Sequence, residues 1–379
     1  MEANIYSLIP IDSAQPMQQT NFFGVILIII WYTFHRCRPT IKWIMYLLIM
    51  AFVIGHFGGF ASADIVASDT VHYRQQQVRQ LKGTIVDFKG QGLTIMLTSG
   101  QKRVIPAEQV IRIDSQRTPA QRAARLATKA GQFEKAASNY YRLLESGAED
   151  RNWVQCEIRS ELVLALRADG KHFQASKAFL QLFHKDPGTP YMHCIPLIWA
   201  GGFTPSPQAE ATAVAWMEDL ARPIAQLLGS SLLLGTRKSQ QAERVLLNLA
   251  ETAIPPLNAL ARAQWLRTQL PYASADKIEL CRKTVEQLPL SLQGGPYYIL
   301  SRLYERTGEN RKAAVAAMRV AILDDANPNL AAEALLTAWK VSVEARLPTE
   351  AKKIYTELIN TYPQSTAAAE AKQRKEDLD

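Results

Sequence analysis

Cysteine is scarce in this chain of 379 residues: Cys37, Cys156, Cys194 and Cys281 are the four, and no two form a Cys-x-x-Cys pair. Zinc-site spacing is therefore absent. The six histidines are equally dispersed, with no His-Glu-x-x-His. His172 and His184 flank an amphipathic stretch and read as its polar ends, and His193 stands beside Cys194 with no further ligand nearby. Gly-x-Ser-x-Gly and glycine-rich phosphate loops are missing, which removes the usual signatures of acyl and phosphoryl transfer. Gly201-Gly202 and Gly294-Gly295 read as turns. Basic residues are scattered, without a dense block or a nucleic-acid motif. The expectation is a protein that is not an enzyme, with no metal, no cofactor, no small-molecule substrate and no nucleic-acid partner.

What is present begins with two apolar runs. Phe22–Phe34 falls short of the roughly 20 residues that span a bilayer as a helix. Trp43–Phe60 follows the basic residues Arg36, Arg38 and Lys42 and leads to Ala61-Ser62-Ala63. Small residues at Ala61 and Ala63 match a signal-peptidase site. Residues 1–63 are therefore expected to be an N-terminal hydrophobic region in which Lys42–Ala63 is a signal peptide cleaved after Ala63, or an uncleaved anchor with its apolar core at 43–60 contacts the membrane. Both readings put the rest of the chain beyond the cytoplasmic membrane, in the periplasm or cell envelope. Three cysteines would then be exported. Cys156 and Cys281 read as small buried apolar residues, and a disulfide among the three stays open.

Residues 64–80 are polar, with Gln75-Gln76-Gln77, and read as a linker or short helix. Residues 81–114 change period. Leu93, Ile95 and Leu97 alternate with Thr94, Met96 and Thr98, Ser99-Gly100 marks a hairpin, and Val110–Asp114 gives a last strand. A three- or four-strand meander that loosely resembles small SH3-like barrels is expected. So small a sheet needs a neighbour to be stable.

From Thr118 onward the pattern is helical. Thr118-Pro119 reads as an N-cap followed by proline at the first helical position. One signature then recurs: a small residue in a turn, an alanine five positions on, an aromatic four beyond that, and a closing proline. Gly131, Ala136 and Tyr140 carry it, as do Gly170, Ala175, Phe179 and Pro187. Gly308 and Ala313 match with Ala317 in the aromatic place, and Ala351, Tyr355 and Pro363 match with Arg346 in place of the turn glycine. This spacing resembles the tetratricopeptide repeat, with degenerate copies. The resemblance covers residues 118–379 and implies about six helix pairs in a right-handed α-solenoid, with Pro187–Pro207 as an irregular loop between sub-arrays. The predicted fold is thus mainly α: a helical array preceded by a small antiparallel β meander and a hydrophobic signal or anchor segment.

Arrays of this kind bind other molecules in their inner groove. The expected function is a protein–protein interaction scaffold that takes a segment of another protein. Arg302, Arg306, Arg311 and Arg319 lie near Tyr304 and favour an acidic partner segment or a C-terminal carboxylate. The formal net charge of +8 supports an alternative, binding of an anionic cell-envelope polymer through a basic surface.

Overall fold

The computed structural model describes residues 68–324 and 326–376. The apolar run 43–60 and the cleavage position after Ala63 lie outside the described residues. Among the described residues no helix is long and apolar enough to cross a membrane.

A five-stranded antiparallel sheet comes first: β1 (Asp69–Arg74), β2 (Val78–Lys89), β3 (Gly92–Leu97), β4 (Lys102–Ile105) and β5 (Val110–Asp114), in the order β4-β3-β2-β1-β5. Strand β1 and the start of β2 occupy the stretch expected to be a linker or short helix. The glutamine run only forms the bend between them. Within β1, Val71 and Tyr73 face the core while Thr70 and His72 do not, a period-two pattern too short to stand out beside Gln75-Gln76-Gln77. The fifth strand returns to pair with β1, after one turn of 3-10 helix at Ala107–Gln109. Asp69, 5% exposed, accepts a hydrogen bond from the Ile85 amide at 2.8 Å, beside the register shift between Ile85 and Asp87. A buried carboxylate thereby pins the bulge of the longest strand.

The sheet does not stand alone. Fourteen α-helices follow among the described residues. The first are α1 (Pro119–Lys129), α2 (Phe133–Ser146), α3 (Asn152–Ala168) and α4 (His172–Lys185). The Arg151 guanidinium, at the start of α3, donates to Ser115 Oγ at 3.0 Å and to the Gln116 carbonyl at 2.9 Å. The Gly90 amide reaches Asp186 Oδ2 at 3.3 Å, and a Cβ on Gly90 would lie 1.6 Å from the Gly188 carbonyl oxygen. Glycine at 90 is therefore required by the close approach of the β2–β3 turn to the end of α4.

Next come α5 (Pro207–Met217), α6 (Pro223–Leu233), α7 (Ser239–Thr252), α8 (Leu257–Thr268), α9 (Ala275–Glu286) and α10 (Gly294–Arg306). The chain continues as α11 (Asn310–Leu323), α12 (Pro328–Glu344), α13 (Pro348–Thr361) and α14 (Thr366–Glu376). Gly294-Gly295, expected as a turn, opens α10. Consecutive helices pack on one another except at α4, whose neighbour is α6 rather than α5.

Four of the helix–helix turns are copies of one another. The amides of Gly131, Gly170, Gly308 and Arg346 bond the carbonyls of Thr128, Arg167, Glu305 and Val343. The following amides, of Gln132, Lys171, Glu309 and Leu347, reach back to Ala127, Leu166, Tyr304 and Ser342. This pair of bonds closes a helix only when the turn residue is left-handed, and φ at the four positions is +72°, +73°, +77° and +55°. Nothing lies within 4 Å of a Cβ built on any of the three glycines, so backbone conformation rather than space selects glycine there.

Candidate interaction surface

The signature residues serve these turns. Ala136, Ala175 and Ala313 have no exposed surface and Ala351 has 5%. Each is the fifth residue after its turn, and its amide bonds the carbonyl just beyond the turn. A small side chain at this point lets paired helices approach closely. Tyr140 and Phe179 are buried at 1% and 0%, Ala317 fills the equivalent place in its unit, and Tyr355 packs against Trp339 with ring centroids 5.8 Å apart. Pro187 and Pro363 are exposed just past their helices. Of these twelve positions Gly170 borders the cavity beside the α4–α5 connection described below, and none lines the groove between α9, α10 and α11.

The connection between α4 and α5 runs into the interior of the array. Cys194, Ile195, Leu197, Ile198 and Trp199 are each at most 7% exposed. Backbone polar groups there need partners, and side chains supply them. The Ile198 amide donates to Ser231 Oγ at 3.0 Å, and the Ile198 carbonyl accepts from Gln264 Nε2 at 3.0 Å and Arg267 Nη1 at 2.9 Å. Burial holds the Arg267 pKa down at about 10. The Trp199 indole lies on α10 over Gly295. Irregular backbone held this way by side chains resembles a bound peptide, but its occupant is the chain itself. Inner surface of α6, α8 and α10 is thereby covered.

A cavity of about 420 Å³ remains beside this segment, lined by His172, Trp199, Phe203, Asn329, Glu333 and Thr366 among others. His172 Nδ1 is buried there without a hydrogen-bond partner, so His172 turns inward rather than forming a polar helix end. Burial first, then the Arg167 and Arg267 charges, lower its pKa to about 4. Glu333 is shifted upward by burial and by Glu370. His193 is likewise lowered, mainly by burial. Cys156, Cys194 and Cys281 are free thiols, and burial pushes Cys194 and Cys281 up to about 12, far from the reactive thiolate range. Among the described residues no group of three His, Cys, Asp or Glu is placed to hold a metal ion.

The other large concavity is open to solvent. It is a groove of about 400 Å³ between α9, α10 and α11. Val285, Leu300 and Ala316 form apolar floor, and Tyr297 and Tyr304 form its walls. Arg282, Arg311, Lys312 and Arg319 line it against one carboxylate, Glu286. Two of these cations are neutralised within the chain: Arg282 bonds Glu279 at 2.8 Å and also Glu286, and Lys312 pairs with Glu309. Arg319 instead donates to the Tyr297 hydroxyl at 2.7 Å and lies over that ring. Arg311 is exposed. Of the other two arginines singled out from sequence, Arg302 turns away to Glu305 and Thr337, and Arg306 is not in the lining. Helix α11 also exposes Val315, Met318 and Ile322. Their i, i+3, i+7 spacing was visible in sequence. Exposure was not, because an apolar stripe on a helix ordinarily faces the core.

Comparison with protein-family models finds no match, and comparison with curated proteins finds no relative.

Proposed function

We propose that the protein is a non-catalytic interaction scaffold, built of degenerate tetratricopeptide-like helix pairs in a right-handed solenoid, that docks a segment of another protein. The observation that carries this reading is the groove between α9, α10 and α11, where apolar side chains, two tyrosines and unneutralised arginines lie open on rigid helices. The four matching turns and their buried alanines support the repeat assignment. The sheet, with its five strands ending in a fifth that closes on the first, fits the SH3-like expectation and acts as a cap tied to α3 and α4. Docking takes place on the α9–α11 groove because the chain's own segment around Trp199 covers the inner surface.

The apolar runs ahead of residue 64 support a place outside the cytoplasmic membrane, as an exported or anchored protein. N-terminal sequencing of protein from separated cell fractions tests that. A start at Asp64 in a soluble envelope fraction, or an intact N-terminus in membranes, agrees with it; an intact chain in cytosol does not.

The functional test is site-specific photo-crosslinking in cells producing the full chain. A benzoylphenylalanine at Val315 should give discrete protein adducts. The same group at Leu126 on α1, more exposed at 67% than Val315 at 55%, should not. Equal labelling at both sites sinks the scaffold reading. A heterogeneous carbohydrate-bearing smear at 315 favours the anionic polymer, to which Arg311 and Arg319 are also suited.

A further inference from the structure

We infer that the groove takes an acidic amphipathic helix of another protein, lying along α11. This rests on the scaffold reading and narrows it to one partner chemistry. Val315, Met318 and Ile322 are 55%, 38% and 75% exposed and form a row along the axis of α11, one turn apart. Such a row packs against another of the same period. An extended segment repeats its side chains on one face at roughly 6.6 Å, out of step with a helical pitch of about 5.4 Å. The open cavity beside the row, floored by Leu300 and walled by Tyr297 and Tyr304, has room for apolar side chains of the incoming helix.

Charge fixes the rest. Arg311 and Arg319 stand eight positions apart on α11, about 12 Å along its axis. Neither has a carboxylate partner among the described residues, whereas Arg282 and Lys312 in the same groove already do. The Tyr297 hydroxyl uses one N–H of Arg319 and leaves the others for an incoming acceptor. Two carboxylates seven or eight residues apart on a partner helix would reach both arginines while its apolar stripe covers Val315 and Ile322. Complementary charge of this kind sets both orientation and partner choice.

The probe is a fluorescein-labelled amphipathic peptide of about 18 residues, long enough to form helix on contact. It carries a leucine stripe and two glutamates seven apart; a control peptide has lysine at both glutamate positions. Anisotropy titration of the full chain should show binding of the glutamate peptide at least about ten-fold tighter than the lysine peptide. R311E and R319E should each weaken it and together abolish the preference. R311E should leave the melting temperature unchanged because its side chain is exposed and makes no polar contact among the described residues, and R319E should lower it only slightly through its lost bond to Tyr297. Equal affinity for the two peptides, no binding of either, or indifference to R311E/R319E overturns the inference, as does displacement of the peptide by vesicles of anionic phospholipid. Adducts at Val315 that persist when the glutamate peptide fails would retain the scaffold and reject the acidic helix. Loss of the adducts rejects the scaffold itself.

Discussion

Arg167 and Asp324 meet at 2.9 Å across 157 positions of sequence, and the guanidinium is only 3% exposed. The contact joins the end of α3 to the end of α11, and beside it Asn329 Nδ2 donates to the Ala168 carbonyl at 2.9 Å. This clasp between α3 and α11 lies beside the cavity that Trp199 lines. Removing one partner of a buried pair strands the other charge. Asp324→Ala is expected to cost about 3–5 kcal/mol, measured as a shift of the urea unfolding midpoint. The double change R167M/D324L, which removes both charges, should cost less than D324A alone. Additive losses would show that the pair is not coupled.

The clasp holds a tight interior. A Cβ on Gly295 would fall 2.0 Å from Trp199 Cε2, a distance that forces the indole or the helix to move. Gly295→Ala is therefore expected to lose at least 1–3 kcal/mol, roughly the cost of overpacking a filled core, even though alanine is the better helix former. Adding Trp199→Leu should restore part of the loss. Differential scanning calorimetry of the single and double variants decides: equal melting temperatures for G295A and its parent would mean that the indole does not rest there.

What the sequence disclosed and what it hid follow from the range of each signal. The alanine and aromatic positions around Gly131, Gly170, Gly308 and Arg346 were legible because a helix hairpin is local: its turn, its crossing residue and its cap lie within about ten positions. The alternation of Leu93, Ile95 and Leu97 was legible for the same reason. Strand β1 was missed because Val71 and Tyr73 give only two apolar beats before the glutamine run. The inward course of Leu197–Trp199 was missed because proline and glycine around it signal surface loop, while the groups that make its burial tolerable, Ser231, Gln264 and Arg267, arrive 33 to 69 positions later. The groove was half legible. Arg311, Arg319 and Tyr304 stood out, but whether Val315 faces core or solvent depends on which neighbours α11 acquires.

Arg346 offers a direct test of the repeat. It holds φ +55° in a turn whose counterparts use glycine. Left-handed backbone costs a residue with a Cβ about 1–2 kcal/mol. Arg346→Gly should therefore stabilise the protein by roughly 1 kcal/mol, less what glycine loses in the unfolded chain. Gly170→Ala, in the same geometry with open space around it, should destabilise by a similar amount. Denaturant midpoints of the two variants should move in opposite directions. A destabilised R346G would mean that the arginine side chain makes a contribution larger than its backbone strain.

Acid sensitivity is the last expectation, and it centres on His172. Its folded pKa is about 4, lowered first by burial and then by Arg167 and Arg267, against an ordinary 6.5. Between those values the unfolded chain binds a proton that the folded chain refuses. Stability from this group is therefore intact above about pH 6.5 and declines as pH falls towards 4, by up to about 3 kcal/mol. His193, also lowered by burial, adds to the same slope. Glu161 and Glu333 act in the opposite sense, since burial raises both, so the parent's pH profile alone mixes the contributions. The difference between the parent and His172→Gln cancels the carboxylates. Urea midpoints at pH 7.5 and pH 5 should differ less in the variant than in the parent. Parallel profiles would show that His172 is charged in the folded protein and that the cavity beside Trp199 admits its proton freely.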